Sequence, residues 1–175
     1  MNLKRIFLPA LLWVLASASY AQQNSNLYEV IPDEEEKKIL KGFLTKRQIT
    51  EDTTFAWYAA NAKYGRPQAA DVEIVKEKAY DFQLILFMGT WCHDSQQIVP
   101  KYFKLLEAAE FPDHHMLIIG TDRQKTAPAN IQRPLNVTMV PTMLVMKDGK
   151  EVGRIVEFGA SGMVDHELAE ILSKF

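Results

Sequence analysis

The chain holds a single cysteine, Cys92, in 175 residues. That count excludes an internal disulfide, so stability must come from a packed core. Charge of one sign is also missing: 20 Lys and Arg stand against 22 Asp and Glu, a formal net charge of −2. With no basic patch, the chain carries no electrostatic footprint for nucleic acid. The four histidines include no pair spaced i, i+4, and the adjacent His114-His115 would point to different sides. No metal site is expected from them. Glycine-rich phosphate loops, a serine nucleophile elbow and paired catalytic carboxylates are likewise lacking.

Long apolar runs are missing too. The N-terminal stretch Ile6 to Ala16 follows Lys4 and Arg5 and precedes the small-x-small triplet Ser19-Tyr20-Ala21. It is too short to anchor the chain across a bilayer and has the layout of a secretory signal, with cleavage expected after Ala21. No cysteine lies near that point to carry a lipid. The expectation is therefore a secreted, periplasmic protein with no membrane span once residues 1–21 are removed.

What is present divides at about residue 68. In Asp33-Glu34-Glu35-Glu36-Lys37-Lys38 acids precede bases, the order a helix dipole prefers, and the pattern predicts a solvated helix start. Lys37 to Thr45 either continues that helix or forms an edge strand, with Gly42 interrupting both. Asp52 or Thr53 can cap a helix through Phe55, Trp57, Tyr58 and Ala62 that ends near Gly65. Pro67 opens another, with Ala70, Val72, Val75 and Ala79 on one stripe. Residues 22–68 thus read as a mostly helical extension, and 69–175 as one domain.

In that domain, Gln83 to Met88 is a short apolar run of the kind that forms a buried central strand. A helix is expected from Cys92 to about Ala109, with Pro100 kinking its interior. Met116 to Gly120 predicts a second buried strand and Thr142 to Met146 a third, joined by the helix-capable, proline-punctuated segment Ala127 to Leu135. Asp148-Gly149 turns a hairpin into Glu151–Glu157, and an amphipathic helix closes the chain through Met163, Val164, Leu168, Ile171 and Leu172. Alternating elements of this kind predict an α/β fold on a mixed central sheet.

Cys92 sits where the first strand gives way to a helix. A thiol there faces unpaired backbone N–H groups and the positive end of the helix dipole, both of which favour the reactive thiolate. Trp91-Cys92-x-x at this junction, Pro100 eight residues on, Val140-Pro141-Thr142 before an apolar strand, Lys147-Asp148-Gly149 and Gly159 together resemble the thioredoxin-like family. The resemblance covers residues 69–175 and implies a three-layer sandwich, with a cis Val140–Pro141 bond holding the Val140 backbone beside Cys92. Three positions depart from the family pattern. Ser95 replaces the second, resolving cysteine; Leu86 stands where a buried aspartate serves as proton relay; and Met88 replaces a frequent aromatic.

What is left is a monothiol site. The resemblance implies that Cys92 attacks a disulfide to give a mixed disulfide, which an external thiol must then resolve. Ser95 is expected to donate a hydrogen bond to the sulfur. A protonated His93 would favour thiolate while Asp94 opposes it. Trp91, His93, Val140 and Pro141 are the expected substrate-binding residues. Protein thiols and disulfides or glutathione are the expected partners, with glutathione a co-substrate and no bound cofactor. The lone thiol allows a monomer or a Cys92-linked dimer. The competing reading is a redox-inactive module that binds extended peptides in the same groove by backbone pairing.

Overall fold

The structure is a computed structural model that describes residues 27–175, so the expected signal segment 1–21 lies outside the described residues. The chain opens with β1 (Tyr28–Asp33) and β2 (Lys37–Leu44), then α1 (Lys46–Thr50), a 3-10 turn (Thr53–Phe55), α2 (Trp57–Ala62) and α3 (Ala69–Lys78). Next come β3 (Gln83–Met88), α4 (His93–Ala108) and β4 (Met116–Gly120). The hairpin β5 (Thr142–Lys147) and β6 (Lys150–Val156) and the closing helix α5 (Val164–Leu172) complete it. The six strands form one sheet in the order β1-β2-β4-β3-β5-β6. Only β3 and β4 run parallel; every other pair is antiparallel. This is the mixed sheet of an α/β protein, as the sequence predicts. Among the described residues no helix is long and apolar enough to cross a membrane.

Strand alternation splits the core in two. Leu84, Leu86 and Met88 of β3 join Ile118, Met143, Val145 and Ile155 under the apolar sides of α3, α4 and α5. Phe87 faces the other way, into a smaller cluster with Ile119, Ala127, Val137, Val140 and Leu144. Period-two alternation sends successive side chains to opposite faces, and burying a residue the size of Leu86 stabilises the fold by about 1.5–3 kcal/mol. The larger cluster therefore dominates stability. The smaller one is roofed by the connecting segment 121–141, so this outer layer of the sandwich is irregular chain and not helix.

Two expectations are corrected here. The acidic run is not a helix start: Asp33 ends β1, and Glu34–Glu36 form the turn into β2. Asp33 Oδ1 accepts the Glu35 and Glu36 N–H groups (3.1 and 2.8 Å), and Lys37 takes φ 67°. Cross-strand pairing of Val30 with Leu40 and Ile31 with Ile39 outweighs the few tenths of a kcal/mol that i, i+4 charge pairs offer. The extension thus begins as a hairpin on the sheet and becomes helical only from Lys46. Likewise Ala127–Leu135 makes a 3-10 turn at Pro128–Asn130, with Ala129 and Asn130 at φ 50° and 56°, not a helix.

Gly120 lets the hairpin dock. A Cβ there would stand 2.2 Å from the Leu40 carbonyl oxygen, so β2 crosses where only a glycine leaves room.

Candidate thiol site

Cys92 is the N-cap of α4, in extended conformation (φ −85°, ψ 121°), and its side chain makes no capping bond. The sulfur turns instead across the end of the sheet: Sγ donates to the Val140 carbonyl at 3.2 Å. Val140 is fully buried and precedes Pro141 across a cis peptide bond. The antiparallel pairing of β3 with β5, from Gln83 with Met146 to Phe87 with Thr142, brings Pro141 beside the exit of β3. Cys92 itself is half-buried and packs against the smaller core cluster with Trp91. One side of the sulfur is therefore fixed by the protein and part of it stays open.

Trp91 is held from the neighbouring strand. Parallel pairing sets Met88 opposite Gly120, so the residues that follow the two strands emerge side by side. Thr121 N–H donates to the Met88 carbonyl (2.9 Å), and the Trp91 indole N–H donates to the Thr121 carbonyl (2.9 Å). A Cβ on Gly89 would fall 2.7 Å from the Trp91 ring and 3.1 Å from Cys92 Cβ, so the ring lies on bare backbone at this glycine. Over the ring stands Arg123, its guanidinium 5.6 Å from the ring centroid. Two carboxylates from the β1–β2 turn hold it: Asp33 by two bonds (2.7 and 2.8 Å) and Glu35 by one (2.8 Å). Arg123 and the two turn amides hold the Asp33 carboxyl well below the usual carboxylate range.

Ser95 behaves differently from expectation. It is fully buried, and its Oγ accepts the Gly89 N–H at 3.2 Å. Among the described residues it makes no hydrogen bond to Cys92 Sγ, because the loop before the helix needs an acceptor for that buried amide. His93 is exposed at the first turn of α4, and its Nε2 meets the Gln97 amide at 2.7 Å, away from the sulfur. The structure thus brings together Cys92, Trp91, Val140 and Pro141. It turns Ser95 inward as a loop support and His93 outward to the rim.

Residues that sequence reasoning left outside the site reach it through the extension. Thr90 Oγ1 accepts the Leu40 N–H from β2 (3.2 Å), and Gln96 Nε2 donates to the Thr90 carbonyl (3.0 Å). Asn61 on α2 donates to the Gln96 carbonyl (2.9 Å). Lys41 pairs with Asp122 at 2.7 Å in a half-buried setting. Asp122, Arg123 and Lys125 read as a surface loop in the sequence. The signal that would have located Asp122 and Arg123 is the parallel register of β3 and β4.

The thioredoxin family profile matches residues 67–170. Among curated proteins, the chain is 32% identical over 79 residues to thioredoxin-2 of Pyricularia oryzae, covering 45% of this chain and 43% of that one. Mitochondrial thioredoxin-3 of Saccharomyces cerevisiae is 30% identical over 79 residues, 45% of this chain and 58% of its own. The thioredoxin of Staphylococcus aureus is 31% identical over 93 residues, 53% of this chain and 80% of its own. The chain thus spans about half the length of the first two. Among solved structures, mitochondrial thioredoxin 3 of Saccharomyces cerevisiae in its oxidized form shares 20% identity at a TM-score of 0.40, over 68% of this chain and 99% of that one.

Proposed function

The chain belongs to the thioredoxin family, and from that premise we propose that it carries out thiol–disulfide exchange through Cys92 alone. The observation that carries this reading is the placement of Cys92: half-buried at the N-cap of a 16-residue helix, its sulfur 3.2 Å from the Val140 carbonyl beside the cis Pro141. The Cys92 thiolate attacks one sulfur of a substrate disulfide; a Cys92–S–S–substrate bond forms, and the other sulfur leaves as thiolate with the electron pair of the broken bond. With serine at position 95, no second thiol in the chain can attack that adduct. An external thiolate, from glutathione or a client protein, attacks the substrate sulfur of the mixed disulfide and returns Cys92 as thiolate. Each cycle thus exchanges the first disulfide for one between the substrate sulfur and the external thiol, and a second equivalent of external thiol, attacking that product, completes the two-electron reduction to free thiols. Trp91 and the Val140–Pro141 segment form the walls against which the substrate lies.

Residues 1–21 fit export to an oxidising compartment, where disulfide substrates are present. N-terminal sequencing of the exported protein, expected to start at Gln22, checks that part separately.

Cys92→Ser tests the chemistry. The expected result is complete loss of exchange between a disulfide-bonded peptide and glutathione, with no adduct in the mass spectrum. Turnover that survives the substitution overturns the reading. Loss of turnover with undiminished peptide binding would separate the groove from the sulfur. A chain whose binding is intact but whose Cys92 forms no adduct even in the parent protein is the binding module instead.

A further inference from the structure

The hairpin β1–β2 lies wholly outside the matched residues 67–170, yet its turn reaches the residue beside the nucleophile. The path has three links. Asp33 Oδ1 ties its own turn through the Glu35 and Glu36 amides. The same carboxylate takes the fork of Arg123 with both oxygens, and Glu35 takes Nη2 a second time. The guanidinium thereby fixed stands 5.6 Å from the centre of the Trp91 ring, whose own N–H is fixed by Thr121.

We propose that Arg123 is a positioning residue for the thiol site: held by the hairpin turn, it sets the orientation of Trp91 and so the wall of the groove beside Cys92. The proposal rests on the exchange reading for its kinetic consequence but not for its structural one. A planar fork suits the role. It satisfies two carboxylates in its own plane while its face remains free to cover an aromatic ring, which an ammonium group cannot do. Asp33, with only 10% of its side chain exposed, is the fixed end of the link, and Arg123 at 35% is the reaching one. Packing on the smaller core cluster and on the bare backbone of Gly89 places the Trp91 ring in part, its single hydrogen bond fixes one edge, and Arg123 stands over it. The ring is therefore held on an edge by Thr121 and on a face by Arg123.

The nearby pair Lys41–Asp122 also joins the hairpin to the 121–126 loop, and among the described residues neither side chain hydrogen-bonds to Trp91. It provides the control for a role that is only structural.

The test compares Arg123→Ala, Arg123→Lys, Asp33→Asn and Lys41→Met in the full chain, with the Trp91 indole N–H resonance assigned by its loss in Trp91→Phe. The Trp91 resonance is expected to move in Arg123→Ala and Asp33→Asn, with Arg123→Lys failing to restore it, while Lys41→Met lowers stability and leaves it in place. In exchange with a disulfide-bonded peptide, Arg123→Ala is expected to raise KM by about two- to fivefold, the size of an exposed cation–π contact, with kcat unchanged. An unmoved Trp91 resonance in both Arg123→Ala and Asp33→Asn overturns the proposal; so does a shift of equal size in Lys41→Met. If Arg123→Ala does not fold, Arg123→Lys and Asp33→Asn decide in its place. Absence of exchange in the parent would sink the catalytic reading alone, because the resonance is measured without turnover.

Discussion

The side-chain amide of Asn61 donates to the carbonyl of Gln96, the oxygen four residues ahead of Pro100. In a regular helix the N–H of residue 100 would bond to that oxygen, and proline has none to give. The acceptor that Pro100 leaves free in α4 is thus answered by a residue of α2, and the first turns of the helix that carries Cys92 are tied to the extension. Replacing Asn61 by Leu removes the donor and leaves the half-buried carbonyl short of a partner. The expected loss is about 1 kcal/mol, read as a lower urea midpoint with an unchanged slope. An unmoved midpoint would mean that solvent serves the carbonyl equally well.

Ser95 offers two opposite substitutions. Ser95→Ala leaves the buried Gly89 N–H without its acceptor, and a cost of about 1–3 kcal/mol is expected. Ser95→Cys places a second thiol one helical turn from Cys92, where a disulfide can close. Intact-mass analysis under mild oxidation is expected to show the loss of two hydrogens with no dimer, whereas the parent forms only mixed or intermolecular disulfides. A Ser95→Cys chain that remains dithiol while the parent oxidises would show that the sulfurs cannot approach each other.

Gly89→Ala probes the floor under Trp91. The added methyl would lie 2.7 Å from the ring and 3.1 Å from Cys92 Cβ, well inside van der Waals contact. Overpacking of this kind costs about 1–3 kcal/mol. Displacement of the indole should show as a changed Trp91 fluorescence maximum, together with slower exchange. Wild-type fluorescence and rate would mean that the loop shifts as a unit to absorb the methyl.

A further prediction concerns pH and lies far from the thiol. Burial pushes Asp165 up to about 6, opposed by the Lys101 charge and aided by the Asp71 carboxylate. His166 is raised above its ordinary value by its 3.0 Å hydrogen bond to the buried Asp71 and by that carboxylate's charge. Both groups hold their protons more tightly folded than unfolded. The contribution of Asp165 is whole below about pH 4 and is lost as pH rises through about 6. That of His166 is whole below about pH 6.5 and is lost above it, as pH passes the raised value. The urea midpoint is therefore expected to fall from pH 5 to pH 8. Asp165→Asn should flatten the lower part of that fall, and a midpoint that rises over the interval contradicts the assignment.

The strands and helices from Gln83 onward were legible in the sequence because each has one strong period: the run Leu84–Met88, the stripe Ile98, Tyr102, Leu105, Leu106, and the Asp148-Gly149 turn between alternating strands. Cys92 could be picked out because it falls at a strand-to-helix junction, and Trp91, Val140 and Pro141 through the resemblance to the thioredoxin-like family. The hairpin was not legible, since the run Asp33 to Lys38 satisfies the local preferences of a helix and only the pairing of Val30 and Ile31 across it decides otherwise. Ser95 has another neighbour than its spacing suggests: sequence distance points to the sulfur three residues back, whereas the buried amide that needs its oxygen, on Gly89, depends on how the loop folds. Arg123 is a long-range case of the same kind, 90 residues from Asp33 along the chain.

The site is assembled at one end of the sheet, where β3 and β4 finish and β5 begins. Because β5 runs away from it, the turn Asp148-Gly149 falls at the opposite pole, near Gln83, which pairs with Met146. Among the described residues nothing lies within 4 Å of where a side chain on Gly149 would project. That turn is therefore the place to splice in a fluorophore sequence or an affinity handle: the reporter would ride at the far end of the molecule, leaving the groove free to meet its clients.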